Sequence, residues 1–215
     1  MIVSENEVYQ IVKKSCISEK IYEDWADDIG KAIAFLQKNN IDGFEEFKNL
    51  ICMTVLKKHI SINQEKNKLV AEDVNPIQNV IPIIDWLISG DSKKAIVTNQ
   101  IISPLIFFSL LAKTSQNYGG TFKISNEKKE ILFKISEDFK FFKIEKLKGY
   151  FIIKWFKSKN VMNPYNTKKY LPSVKLHSVK KETWEYLSQK AYNTYVPETT
   201  VSRNSGAGAG LLDND

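Results

Sequence analysis

The chain has a single arginine. Of its 31 basic residues the other 30 are lysine, and Arg203 stands alone near the end. Guanidinium groups are the usual readers of base edges, so sequence-specific nucleic-acid recognition is poorly served. Cysteine is almost as scarce: Cys16 and Cys52 could close at most one bridge, far below the density of a disulfide-stapled fold, and both are read as free thiols on apolar helices, packed into the core. The two histidines, His59 and His177, are isolated, so no set of three or four ligands has the spacing of a zinc site. A G-x-S-x-G elbow, a P-loop and any other cofactor fingerprint are missing, and no cofactor is expected.

Long apolar runs are missing too. Residues 101–112 form the longest, interrupted by Ser103, Pro104 and Ser109, and cover about half of the roughly 20 residues a membrane span needs. The first charges, Glu5 and Glu7, are acidic, unlike the basic start of a secretory signal. A protein of the reducing cytoplasm, with no membrane partner, is the expectation.

What the chain does hold is an ordinary globular composition. With 215 residues, 43% of them hydrophobic and 26% charged, and no Pro/Gly/Ser-rich linker, one domain sharing one core is expected. Its net charge of +6 is uneven, because residues 113–190 carry 18 lysines against 7 acids. Abundant Ile and Asn beside the lysine bias point to genomic base composition as one source of that charge.

Local signals then divide the chain. Ser4 with Glu7 forms a capping box, and Val3 with Val8 a hydrophobic staple around it. Ile21, Trp25, Ile29, Ile33 and Leu36 recur at helical spacing, and Asp42 with Glu45 opens a third helix through Phe44, Phe47, Ile51 and Val55. Residues 61–75 read as polar and irregular. Asn75-Pro76 and Ser103-Pro104 both read as a cap followed by proline at the first helical position, Pro82 as a kink or break, and 94–98 as a short strand. Beyond Gly120 the period changes to two: 121–125 and 130–136 form a hairpin, 149–156 a third strand, and 173–177 an edge strand, before Ser178 caps a helix ending at Pro197. The fold class expected is α+β: an N-terminal helical layer packed on a small antiparallel sheet, with a closing helix and a Gly-rich tail. Its parts are a helical segment 1–60, loops and central helices 61–120, an antiparallel meander 121–177, a helix 178–196 and a docked tail 197–215. Strand–helix alternation that would build a parallel sheet is not seen.

Chemistry-bearing candidates are few. The run 206–210, Gly-Ala-Gly-Ala-Gly, has no strand before it or helix after it and cannot act as a dinucleotide turn. Lysines alternate with aromatics in 139–143 and 150–157, as in a sheet that binds phosphates and stacks bases, but a solvated strand face explains them as well, and nucleic acid is not the favoured partner. Glu7, Asp213 and Asp215 are the acid/base candidates, with the cap the simpler role for Glu7.

The tail departs from all that precedes it. It runs from Tyr195-Val196-Pro197 through Ser202-Arg203-Asn204 to Gly206, Gly208, Gly210 and Asp213-Asn214-Asp215, and holds three of the nine glycines. A lone planar cation fits a carboxylate or phosphate, and glycine lets backbone approach closely. With Ser4, Asn6, Glu7 and the Ala26, Gly30, Ala32 helix, this ending resembles the bacterial domain-of-unknown-function family 3726. The resemblance implies no activity; it implies that the ending is a built element. The binding residues expected are therefore Tyr195, Ser202, Arg203, Asn204, Gly206, Gly208 and Asp213. Two function classes stay open: an accessory or assembly protein that binds a protein partner or a small anion through this tail, and an enzyme of small-molecule metabolism with a pocket the tail lines.

Overall fold

The computed structural model describes residues 1–54, 62–90, 93–136, 147–157 and 176–194. Strand β1 (Ile2–Ser4) leads directly into α1 (Glu5–Ser18). The capping box is in place: Ser4 Oγ accepts from the Glu7 N–H at 3.2 Å, and the Glu7 carboxylate accepts from the Ser4 N–H at 2.7 Å. Val3 and Val8 flank it, both buried. Helix α2 (Glu23–Lys38) buries Ala26, Ile29, Ile33 and Leu36, the stripe its spacing demands. Helix α3 (Gly43–Thr54) starts where Asp42 Oδ1 accepts from the Glu45 N–H, and buries Phe44, Phe47, Leu50 and Ile51. Each buried Phe or Leu of this kind contributes about 1.5–3 kcal/mol.

Six strands form the main sheet: β2 (Ile62–Glu65), β3 (Lys68–Val74), β4 (Ala95–Ile101), β5 (Gly120–Ser125), β6 (Ile131–Ile135) and β7 (Leu147–Lys157). Their order is β2-β3-β4-β7-β5-β6. The class is α+β, as expected, with a larger and mixed sheet. Strands β3 and β4 pair in parallel, joined by α4 (Val80–Ile88), while every other neighbouring pair in this sheet is antiparallel. Residues 62–74, expected to be irregular, form the β2–β3 hairpin. Leu69, Ala71 and Val74 are buried, and Lys68 and Glu72 are exposed positions of a strand rather than loop. Strand β7 lies between β4 and β5, not beyond β6, so the three C-terminal strands are not a meander. Phe151, Ile153 and Trp155 explain the position: an apolar strand is best buried in the middle of a sheet.

Helices cover one face. Helix α5 (Pro104–Tyr118) packs on β5 and β6, and α4 on β4 and β7. Pro82 leaves α4 unbroken because it falls in the first turn, where its missing N–H would have no partner anyway. Pro76 starts no helix; it stands in a turn braced by Asn75 Oδ1, which accepts from the Ile77 N–H, and by Asn79 Oδ1, which accepts from the Asn75 N–H. Helix α5 ends at Gly119, whose φ of 64° is the conformation that favours glycine. It buries Ile106, Phe107, Phe108, Leu110 and Leu111, and Ser109 Oγ donates to Ala32 O at 2.8 Å, tying α5 to α2.

The last described helix, α6 (Lys181–Tyr192), packs on α1 and α3, and Ser15 Oγ donates across to Leu187 O. Ser178 does not cap it. That residue ends β8 (Leu176–Ser178), which pairs with β1 in a separate two-stranded ribbon instead of edging the main sheet. Both thiols are free, as expected, but Cys52 is exposed and only Cys16 is core. Among the described residues no helix is long and apolar enough to cross a membrane.

Candidate functional site

Three helices that share no local sequence signal meet around a cleft of about 110 Å³. Helix α2 supplies Asp28 and Lys31, α4 supplies Asp85, and α5 supplies Lys113, Thr114 and Tyr118, over an apolar floor of Ile81, Ile84 and Leu110. The positions follow from the helical period. Ile29, Ile33 and Leu36 must face the core, which leaves Asp28 and Lys31 on the flank of α2. Lys113 is the one charged residue of α5 and sits where the apolar run turns towards solvent.

Three of these groups are pushed towards neutrality. The Lys113 ammonium is half-buried; loss of water lowers its pKa, and Lys31 and Lys38 add repulsion that Glu5 and Asp28 oppose. Its described polar contact is with Gln116 Oε1 at 3.1 Å, and its Nζ stands 5.6 Å from the centre of the Phe35 ring. Asp28 opens to solvent at the cleft mouth, yet partial dehydration raises its pKa, and the neighbouring charges of Asp27, Asp85 and Asp24 act in the same direction against Lys31. Dehydration also raises Asp85. Among the described residues, none of Asp28, Asp85 and Lys113 forms an ion pair.

Lys31 is differently placed. It is paired to Asp27, whose carboxylate also accepts from the Tyr9 hydroxyl and lies 3.9 Å from Lys13. Burial works against the charge of Asp27, but the bonds from Lys31 and Tyr9 outweigh it and hold the pKa below the usual range. The result is a cleft with one paired cation on its rim, a half-buried ammonium and two exposed carboxylates, the last three without an ion-pair partner among the described residues. Perturbed groups clustered in a cleft make it a candidate functional site.

A second constellation joins α3 to α5. Ser103 precedes α5 with φ 46°, a strained value for a residue other than glycine, and its side chain does not cap the helix. The expected Ser103 cap is replaced by Glu46, whose carboxylate accepts from the Leu105 and Ile106 N–H groups and from the Ser103 hydroxyl. Burial nonetheless pushes Glu46 up to about 7.

The candidates read from the sequence fare differently. Tyr195, Ser202, Arg203, Asn204, Gly206, Gly208, Asp213 and Asp215 lie outside the described residues. Glu7 is the cap of α1, and its bonds from the Ser4 N–H and hydroxyl hold it below the usual carboxylate range. Among the described residues no group of three or more His, Cys, Asp or Glu side chains is placed to hold a metal ion. Asp28, Asp85 and Lys113 were not singled out by sequence; the signal available was a lone lysine inside an otherwise uncharged helix. Compared with protein-family models, curated proteins and solved structures, the chain matches none.

Proposed function

We propose that the protein binds a small charged molecule in the cleft between α2, α4 and α5, with Lys113 taking its carboxylate or phosphate end. The observation that carries this is a half-buried ammonium with no described counter-ion in a cleft that Asp28 and Asp85 also line. An anion beside Lys113 would restore the interaction energy that dehydration removes. Asp28 and Asp85 favour a ligand with a cationic end as well, so an amino-acid-like zwitterion fits better than a simple anion. The cleft is far smaller than the ~300–1,000 Å³ of drug-sized sites, which limits the ligand to a small metabolite or the end of one side chain of a partner.

The test is thermal melting and calorimetric titration of the full chain with glycine, glutamate, acetate and inorganic phosphate. A zwitterion that raises the melting temperature saturably, with the effect lost in Lys113→Met, supports the reading. No response to any of the four, or an equal response in the variant, overturns it.

An enzyme is the second reading, favoured because Asp28 and Lys113 both shift towards the pH range in which acid/base catalysis works. Chemical conversion of the bound ligand would establish it. For the tail the proposal rests on sequence alone: Arg203 and the glycines of 206–210 fit a cytoplasmic accessory or assembly protein that binds an anion or a protein partner through its ending, and the resemblance to family 3726 supports only that this ending is a built element. Arg203→Lys in the full chain should then lower recovery of that partner with no change in melting temperature, and equal recovery would refute it.

A further inference from the structure

The face of the sheet away from the helices, uncovered among the described residues, carries a row of like charges. Register places Lys134 of β6 opposite Lys123 of β5, and Lys123 opposite Lys154 of β7, so three lysines line up across three strands. At the ordinary spacing of strands the row spans about 10 Å. The flanking residues Phe122, Ile124, Ile135, Ile153 and Trp155 are buried beneath the helices, so alternation puts the lysines on the other face. Like charges placed directly opposite one another weaken a sheet. Among the described residues no ion pair relieves any of the three. The nearest acids in sequence, Glu127 and Glu130, stand in or beside the β5–β6 turn, where Glu130 accepts from the Asn126 amide.

Aromatic surface adjoins the row. Phe156, 36% exposed, shares its face of β7 with Lys154; Tyr150, 38% exposed, stands at the bulge of the same strand; and Lys123 Nζ stands 4.2 Å from the centre of the Phe156 ring. We infer that the outer face of β6-β5-β7 binds single-stranded nucleic acid, its phosphates on Lys134, Lys123 and Lys154 and its bases on Phe156 and Tyr150. Charge complementarity demands a polyanion, and the exposed rings distinguish a base-bearing one from an acidic peptide, which has nothing to stack. Lysine makes point-charge contacts without base-edge readout, so binding is indifferent to sequence. This surface lies apart from the α2/α4/α5 cleft and stands or falls independently of it.

Fluorescence anisotropy of the full chain with labelled oligouridylate and oligothymidylate of roughly a dozen nucleotides tests the inference. Three neutralised phosphates on a single strand give a slope of about −2 for log affinity against log salt, or about 20-fold weaker binding for a fourfold rise in salt. The triple variant Lys123→Gln/Lys134→Gln/Lys154→Gln should lose at least about tenfold in affinity while melting no lower than the parent, because it removes repulsion. Phe156→Ala should weaken binding with the salt slope unchanged, which a purely electrostatic attraction would not do. Lys134→Gln alone, on the sheet edge, gives a lesser loss and serves if the triple variant fails to fold. Absence of binding to both oligonucleotides, unchanged affinity in the lysine variants, or tighter binding of a polyglutamate peptide would overturn the inference.

Discussion

Replacing Glu46 by glutamine sets two opposed forces against each other at one atom. Burial against α5 raises the carboxyl from its ordinary 4.5 to about 7, while the Leu105 and Ile106 N–H groups, the Ser103 hydroxyl and the positive end of the helix favour the charged form. A shift from 4.5 to about 7, which already includes the favourable N–H and hydroxyl interactions, corresponds to about 3 kcal/mol at 1.36 kcal/mol per unit, and solvent screening at this half-buried carboxyl discounts it to about 2 kcal/mol. Because the folded-state pKa is the higher one, the folded protein holds its proton more tightly. The stabilisation is complete below pH 4.5 and is lost as pH rises towards 7. Glutamine keeps an acceptor for the N–H groups and has no charge to bury. The wild type minus Glu46→Gln difference in unfolding free energy should therefore fall by about 2 kcal/mol between pH 4.5 and 8, or about 4–8 °C in melting temperature for a chain of this size. Denaturant melts at several pH values measure it, and the difference cancels the same-signed contributions of Asp28 and Asp85. If the wild type gains on the variant as pH rises, the N–H groups and dipole have won over burial and the reasoning is wrong.

Two further outcomes are expected. Gly120→Ala should cost about 1–3 kcal/mol in chemical unfolding, since a Cβ there would stand 2.4 Å from the Trp155 ring and 2.7 Å from Phe156 O; an unchanged midpoint would mean that Trp155 is free to move. Alkylation of the native protein should modify Cys52 alone, because Cys16 is buried with its pKa pushed up by loss of water, and mass mapping that finds Cys16 labelled without denaturant would contradict the packing of α1.

The legible parts of the fold are those with local causes. The capping box at Ser4 and Glu7, the α2 stripe and the turn around Asn126 each lie within a few residues and came through with their roles intact. Non-local pairings were not legible. Strand β3 hides behind Lys68 and Glu72, whose exposed side chains alternate with Leu69 and Ala71, and behind Asp73, and nothing local says that β7 inserts between β4 and β5. The in-trans cap on α5 was equally invisible, since Ser103-Pro104 reads as a local start while the capping carboxylate comes from Glu46 on α3. The cleft belongs to this second kind: Asp28, Asp85 and Lys113 become neighbours only once α2, α4 and α5 pack around one core.

Site-resolved titration by nuclear magnetic resonance, with labelled lysine Cε and the Lys113 signal assigned through Lys113→Met, reports on that cleft most directly. The account predicts that Lys113 titrates below the other lysines in the free protein and moves back up when a small zwitterion fills the cleft. A Lys113 that titrates with the surface lysines and ignores every added ligand would contradict it.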